Sequence, residues 1–119
     1  MPTLSIVTNL PKNQIPPNFL ANASKLVSQI LKTPELHVAV KIKAGQQMFW
    51  CNSDSLCGLG NLAGTGIYGL EKNKYYSSLL FDFLEKELGI PETRLYISFV
   101  EQKPSNVGIR GTTLEALIQ

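Results

Sequence analysis

The sequence predicts an α+β domain in which a strand–helix–strand unit occurs twice, giving a four-stranded mixed sheet with two helices on one face. Three observations carry this reading: two segments with apolar residues at helical spacing, alternating segments after each, and an offset of 57 positions that lays one half over the other. Right-handed crossovers make the strands of each unit parallel and put both helices on the same side.

The elements follow in order. Pro2 to Leu10 (PTLSIVTNL) is a strand-like run. Phe19, Leu20, Ala23, Leu26, Val27, Ile30 and Leu31 make the apolar stripe of a helix that starts after Pro16-Pro17 and stops before Pro34. Val38, Val40 and Ile42 then alternate on one face of a strand. The offset places the first strand over Leu59 to Ile67, a glycine-rich stretch that is a poor strand by propensity. Tyr76, Leu79, Leu80, Phe83, Leu84 and Leu88 form the second helical stripe, with Asn73 as its expected cap and Gly89 and Pro91 as its end. Leu95, Ile97 and Phe99 alternate in the last strand. Leu31 to Glu35 lies over Leu88 to Glu92, so the units run about 2–57 and 58–113, and 114–119 is a C-terminal extension. Its Leu114, Ala116, Leu117 and Ile118 are apolar enough to pack on a neighbouring subunit.

A chain of 119 residues supports one domain, here 1–119. With helices on one face only, the other face of the sheet needs a cover, and further copies of the chain packed around a symmetry axis are the economical one. Eleven basic and nine acidic side chains give a net charge of +2 with dispersed lysines, which gives no case for a nucleic-acid footprint. No apolar run reaches membrane-spanning length, and the N-terminus lacks the basic and hydrophobic regions of a signal peptide, so the cytosol is the simplest location. Cys51 and Cys57, with a single histidine, fit neither a disulfide scaffold nor a zinc site.

Pro2 is the candidate catalytic group. Removal of Met1 leaves a secondary amine held in a ring, and burial or a nearby cation favours its neutral, basic form. The competing reading is a processing signal and a stiff first residue of a strand.

Met1-Pro2, Thr8-Asn9-Leu10-Pro11, Phe19-Leu20, Pro34, Cys57, Asn73, Tyr76-Ser77, Leu79-Leu80, Arg94, Tyr96-Ile97, Asn106-Val107-Gly108 and Gly111-Thr112-Thr113 together carry a resemblance over nearly the whole chain. The chain resembles the family of macrophage migration inhibitory factor and D-dopachrome tautomerase, within the tautomerase superfamily. The resemblance implies a homotrimer whose sheets enclose a central channel, with pockets at the subunit borders. It implies cofactor-free keto–enol tautomerisation of phenylpyruvate-like and dopachrome-like compounds, with Pro2 as general base. Abstraction of a proton beside a carbonyl needs a neutral base together with donors or a cation for the enolate and the substrate carboxylate. By resemblance, Tyr96 comes from the adjacent subunit and Val107 is an apolar wall.

Several positions depart from the family pattern. The substrate-binding lysine normally precedes the proline after the first helix, where this chain has Thr33, and the lysine stands one step earlier at Lys32. Two readings of Lys32 are open: a carboxylate contact reaching from the helix end, or a solvated lysine favoured near a helix C-terminus. The backbone amide of the pocket belongs here to Thr65, the pocket asparagine is replaced by Ser98, and Ile109 stands at the aromatic rim. His37 occupies a place near the pocket mouth, either as a titrating group or as a structural one. The family's Cys-x-x-Cys is broken, because Gly60 stands where the second cysteine would follow Cys57, and no thioredoxin-like chemistry is expected.

Two function classes follow: a tautomerase, and a cytokine-like protein that binds a cell-surface receptor with a catalytically weak pocket. The resemblance implies cytosolic storage and export without a signal peptide, and the displaced lysine implies weakened or altered catalysis.

Overall fold

The computed structural model describes residues 1–118, and Gln119, the last position of the extension, lies outside the described residues. The first unit is β1 (Thr3–Thr8), α1 (Phe19–Leu31) and β2 (Ala39–Lys43); the second is β3 (Gly58–Gly64), α2 (Leu70–Leu88) and β4 (Leu95–Glu101). A hairpin of β5 (Gly108–Ile109) and β6 (Thr112–Thr113) and a short helix α3 (Leu114–Ile118) follow. The sheet order is β2-β1-β3-β4. Within each unit the strands are parallel, as a helical crossover requires, and the two units meet through antiparallel β1 and β3 at the centre. The α+β class and the mixed four-stranded sheet are as the sequence predicts.

Strand alternation sends Leu4, Ile6, Leu62 and Leu95 to the helical side, where they are buried. Phe19, Ala23 and Val27 from α1, and Tyr76, Leu80, Leu84 and Leu88 from α2, repeat every four residues and close the same core. The opposite face carries the row Lys41, Ser5, Asn61, Ser98, matched across all four strands. Beside it lie Leu59 and Tyr96, both exposed.

The glycine-rich β3 is a strand despite its propensity because its neighbours fill the space that side chains would take. A Cβ at Gly58 would sit 3.0 Å from Ile90 Cδ1, and one at Gly60 would sit 3.1 Å from Ile6 Cδ1. Removing those side chains from the strand lets large ones from β1 and the α2–β4 connection approach its backbone.

Both long helices end in a left-handed residue, Lys32 (φ 53) and Gly89 (φ 74), again 57 positions apart. The start of α2 differs from the sequence reading. Gly69, not Asn73, is its cap, and Asn73 lies in the first turn with its N–H donating to the Gly69 carbonyl at 2.7 Å. The Asn73 side-chain oxygen is buried with no partner among the described residues.

The segment between β2 and β3 is held by side chains from elsewhere. Arg94 donates from Nε to the Leu56 carbonyl (3.0 Å), from Nη1 to Trp50 (3.0 Å) and from Nη2 to Ser53 (3.2 Å) and Ser55 (3.0 Å). Asn9 adds donation to Asp54 and Ser55 and accepts the Cys57 N–H at 2.9 Å. At the other end of β1, the Pro2 carbonyl accepts the Ala39 N–H at 3.1 Å, so the ladder to β2 starts at the proline.

Candidate active site

A cavity of about 690 Å³ opens where β1 begins and β3 ends. Pro2, itself buried, lines it, so the second residue faces a half-open cavity. Each further wall comes from a different part of the chain.

The end of α1 supplies Leu31 and Thr33. Ser28 fixes Thr33 twice: its carbonyl accepts the Thr33 N–H at 3.1 Å, and its hydroxyl donates to the Thr33 carbonyl at 2.6 Å. The left-handed turn at Lys32 redirects the chain between them, leaving Lys32 exposed and outside the cavity lining. The 3-10 turn that follows adds the exposed side chains of Leu36 and His37 at the rim.

The connection from β3 to α2 supplies Thr65 and Ile67. Tyr76 donates to the Ile67 carbonyl at 2.5 Å, Tyr68 donates to the Leu62 carbonyl, and the Gly66 N–H is taken by Glu101 at 2.8 Å. These three bonds hold the segment from both the helix and the sheet. Burial pushes the Tyr68 phenol well above the ordinary tyrosine range, helped by the Glu101 charge and by Tyr76. Burial also raises Tyr76, with Tyr75 adding to it. Both therefore remain neutral donors. Gly64 leaves room for the Ile67 side chain: a Cβ there would lie 2.7 Å from Ile67 Cδ1 and 3.7 Å from Pro2 Cα.

The C-terminal hairpin brings Ile109 and Arg110, and α3 brings Leu114, Leu117 and Ile118. The extension therefore lines a cavity of its own chain. The lining is apolar for the most part; among the described residues its basic side chains are His37 and Arg110, and no acidic side chain lines it. Among the described residues no cluster of three or more His, Cys, Asp or Glu is placed to hold a metal. Cys57 is buried and Cys51 exposed, both as free thiols.

Of the residues singled out from sequence, the structure brings together Pro2, Thr33, His37, Thr65 and Ile109. Tyr96 and Ser98 lie elsewhere, on the uncovered face of β4. Tyr96 borders a second cavity of about 360 Å³ with Phe49, Trp50 and Leu59, its ring centroid 4.6 Å from that of Trp50. Val107 is half-buried outside the Pro2 cavity, and its carbonyl accepts the Leu114 N–H at 2.8 Å to start α3. Sequence reasoning missed Ile67 and Arg110. Ile67 carried a faint signal as the last apolar residue of the glycine-rich stretch; Arg110 carried none, because two-residue strands leave no periodicity.

The family model for macrophage migration inhibitory factor matches residues 1–115. A macrophage migration inhibitory factor homolog of Trichuris trichiura is 42% identical over 113 residues, covering 95% of this chain and 99% of that protein. The macrophage migration inhibitory factor of Xenopus tropicalis is 35% identical, covering 95% and 98%. Among solved structures, the factor from Trichinella spiralis superimposes with a TM-score of 0.91 at 37% identity, covering 93% of this chain and 98% of that one. With the family model, these relatives and the fold in agreement, the chain belongs to the macrophage migration inhibitory factor family.

Proposed function

We propose that this protein is a cofactor-free keto–enol tautomerase acting on 2-oxo acids with an aromatic or apolar body, phenylpyruvate being the simplest, and on dopachrome-like compounds. The observation that carries it is Pro2, buried in the wall of a mostly apolar cavity whose described lining holds one arginine and no acidic side chain. Loss of Met1 turns its nitrogen from an amide into a secondary amine. Apolar walls favour the neutral form of such an amine, which is the form that takes a proton. The base removes a proton from the carbon beside the ketone and returns one to oxygen or carbon, so the reaction is redox-neutral. The Thr65 amide is suited to holding the enolate oxygen, with Thr33 and His37 at the same wall and Ile109 against the substrate body.

We further propose a homotrimer. Phe49 (74% exposed) and Tyr96 (64%) are too large and too open for a finished surface, and both lie at the uncovered side of the sheet. Assembly would bring Tyr96, and Ser98 on the same strand face, from one protomer to the Pro2 cavity of the next, while Val107 is suited to an apolar wall. The relatives are named for inhibiting macrophage migration, and an extracellular, receptor-binding role belongs to the same proposal. No helix is long and apolar enough to cross a membrane.

The test is phenylpyruvate tautomerisation by Met1-free protein, followed by ultraviolet absorbance, with sedimentation equilibrium on the same sample. Turnover by a species of three chains is the expected result. A 13 kDa species at micromolar concentration would refute the trimer, and absence of turnover on any 2-oxo acid would leave the receptor-binding role alone.

A further inference from the structure

We infer that Arg110 is the carboxylate anchor of the Pro2 cavity, taking the charge role that Thr33 cannot fill and that Lys32 is turned away from. This rests on the tautomerase reading for its substrate class, and the experiment below separates the two.

Arg110 is the one side chain of permanent charge among the residues that line the cavity. It forms no salt bridge with any described residue, and Glu101 accepts the Gly66 N–H next to Thr65. A guanidinium presents two parallel donors to a carboxylate and fixes its plane, whereas an ammonium acts as a point charge.

The backbone beneath it supports the assignment. Arg110 and Gly111 are the two loop residues of the β5–β6 hairpin, set by the pairing of Ile109 with Thr112. Both have positive φ, 52 for Arg110 and 77 for Gly111, which is the geometry of a type I′ turn. Asn, Asp or Gly is preferred at the first of these positions, and an arginine there is strained. A strained residue beside a cavity is a reason to look for a role in that cavity. The tight turn also anchors the base of a long side chain, which lowers the freedom lost when it binds. Arg110, an exposed side chain, lines the cavity together with Ile109, Leu114 and Leu117, so a ligand with a carboxylate head and an apolar body has partners for both ends.

The substrate class that follows is a free monocarboxylate, in preference to its ester. The test compares Met1-free parent, Arg110→Asn and Arg110→Lys on phenylpyruvate and on dopachrome methyl ester, whose carboxyl carries no charge. Asn suits the turn, so its effect reports the lost guanidinium and not a broken hairpin. For Arg110→Asn, kcat/KM on phenylpyruvate should fall at least tenfold, mainly through KM, while the ester changes less than twofold. Arg110→Lys should recover part of the loss. Equal losses on both substrates would make Arg110 a structural turn residue, and no loss on either would leave it in solvent; both overturn the inference. Binding of 3-phenylpropanoate, read by NMR titration, does not need turnover. There the Kd should rise at least tenfold in Arg110→Asn, and an unchanged Kd, or a parent that binds no phenylpropanoate, overturns the anchor. A parent that binds it through Arg110 without tautomerising any substrate would sink the enzymatic reading and keep the anchor.

Discussion

The Tyr76 hydroxyl donates to the Ile67 carbonyl across 2.5 Å, joining the first turns of α2 to the segment that walls the Pro2 cavity. The bond links a buried core side chain to a half-buried loop, so it transmits the rigidity of the core to Thr65 and Ile67. Tyr76→Phe removes the donor and leaves a carbonyl to find water. The expected cost is about 1–2 kcal/mol, with faster amide exchange in residues 65–69 and an unchanged fold. Exchange unaltered in that segment would show that the bond does not restrain it.

The same two phenols give a pH dependence. Tyr68 and Tyr76 both have folded-state values raised above the unfolded one, so the native protein holds their protons more tightly than the unfolded chain does. Their contribution is fully present below about pH 10 and is lost as pH rises from there through the higher folded-state values. Urea midpoints should therefore fall above pH 10, and Tyr68→Phe should flatten that fall. A mutant with the parent's alkaline slope would assign it to other groups.

Pro2 has a direct kinetic test. Positioned general-base catalysis contributes about 10²–10⁴-fold, so Pro2→Gly should lose most of kcat/KM on phenylpyruvate while the oligomer persists. Protein that retains Met1 should be impaired to a similar degree, because its proline nitrogen is an amide. Equal activity of Met1-free parent and Pro2→Gly would end the proline-base mechanism.

Gly64 tests the cavity wall. Gly64→Ala places a methyl against Ile67 Cδ1 and close to Pro2. Since the end of the Ile67 side chain is the part that must yield, the stability cost should be small, about 1 kcal/mol, whereas Ile67 is driven into the cavity and kcat/KM falls several-fold. A large loss of stability with normal kinetics would reverse this assignment.

Lys32 occupies the left-handed position that Gly89 fills in the second unit. Relief of the side-chain penalty there, about 1–2 kcal/mol, exceeds the added flexibility of glycine in the unfolded chain, about 0.5–1 kcal/mol. Lys32→Gly should thus raise the urea midpoint. A lower midpoint would mean that the lysine makes contacts worth more than its strain.

Much of the fold was legible because the repeat fixed it twice. The offset aligned Leu31 with Leu88 as helix ends, and the structure extends the match to the left-handed caps and to the 3-10 turns at 35–37 and 92–94. The start of α2 was not legible, because Leu70, Glu71 and Lys72 are exposed and give no stripe to mark a first turn. The offset placed a strand over Leu59 to Ile67, and the structure has β3 at Gly58–Gly64; propensity argued against it, since the reason for its glycines lies in side chains such as Ile6 and Ile90 far away in sequence. The site was half legible for a similar reason. Pro2, Thr33, His37, Thr65 and Ile109 stood out by resemblance, but Arg110 joins them only through a hairpin of two-residue strands.

The sheet bond at Pro2 has a consequence for maturation. Its carbonyl, not its nitrogen, is the group paired with β2, and a proline nitrogen has no hydrogen to give a ladder. Cutting the Met1–Pro2 peptide therefore removes no strand pairing; it takes Met1 out of the cavity lining and leaves the Pro2 amine there. If Pro2 is the base proposed above, folding and chemical activation are separate events: a processing step at one peptide bond would switch the cavity from inert to basic while the sheet registers no change.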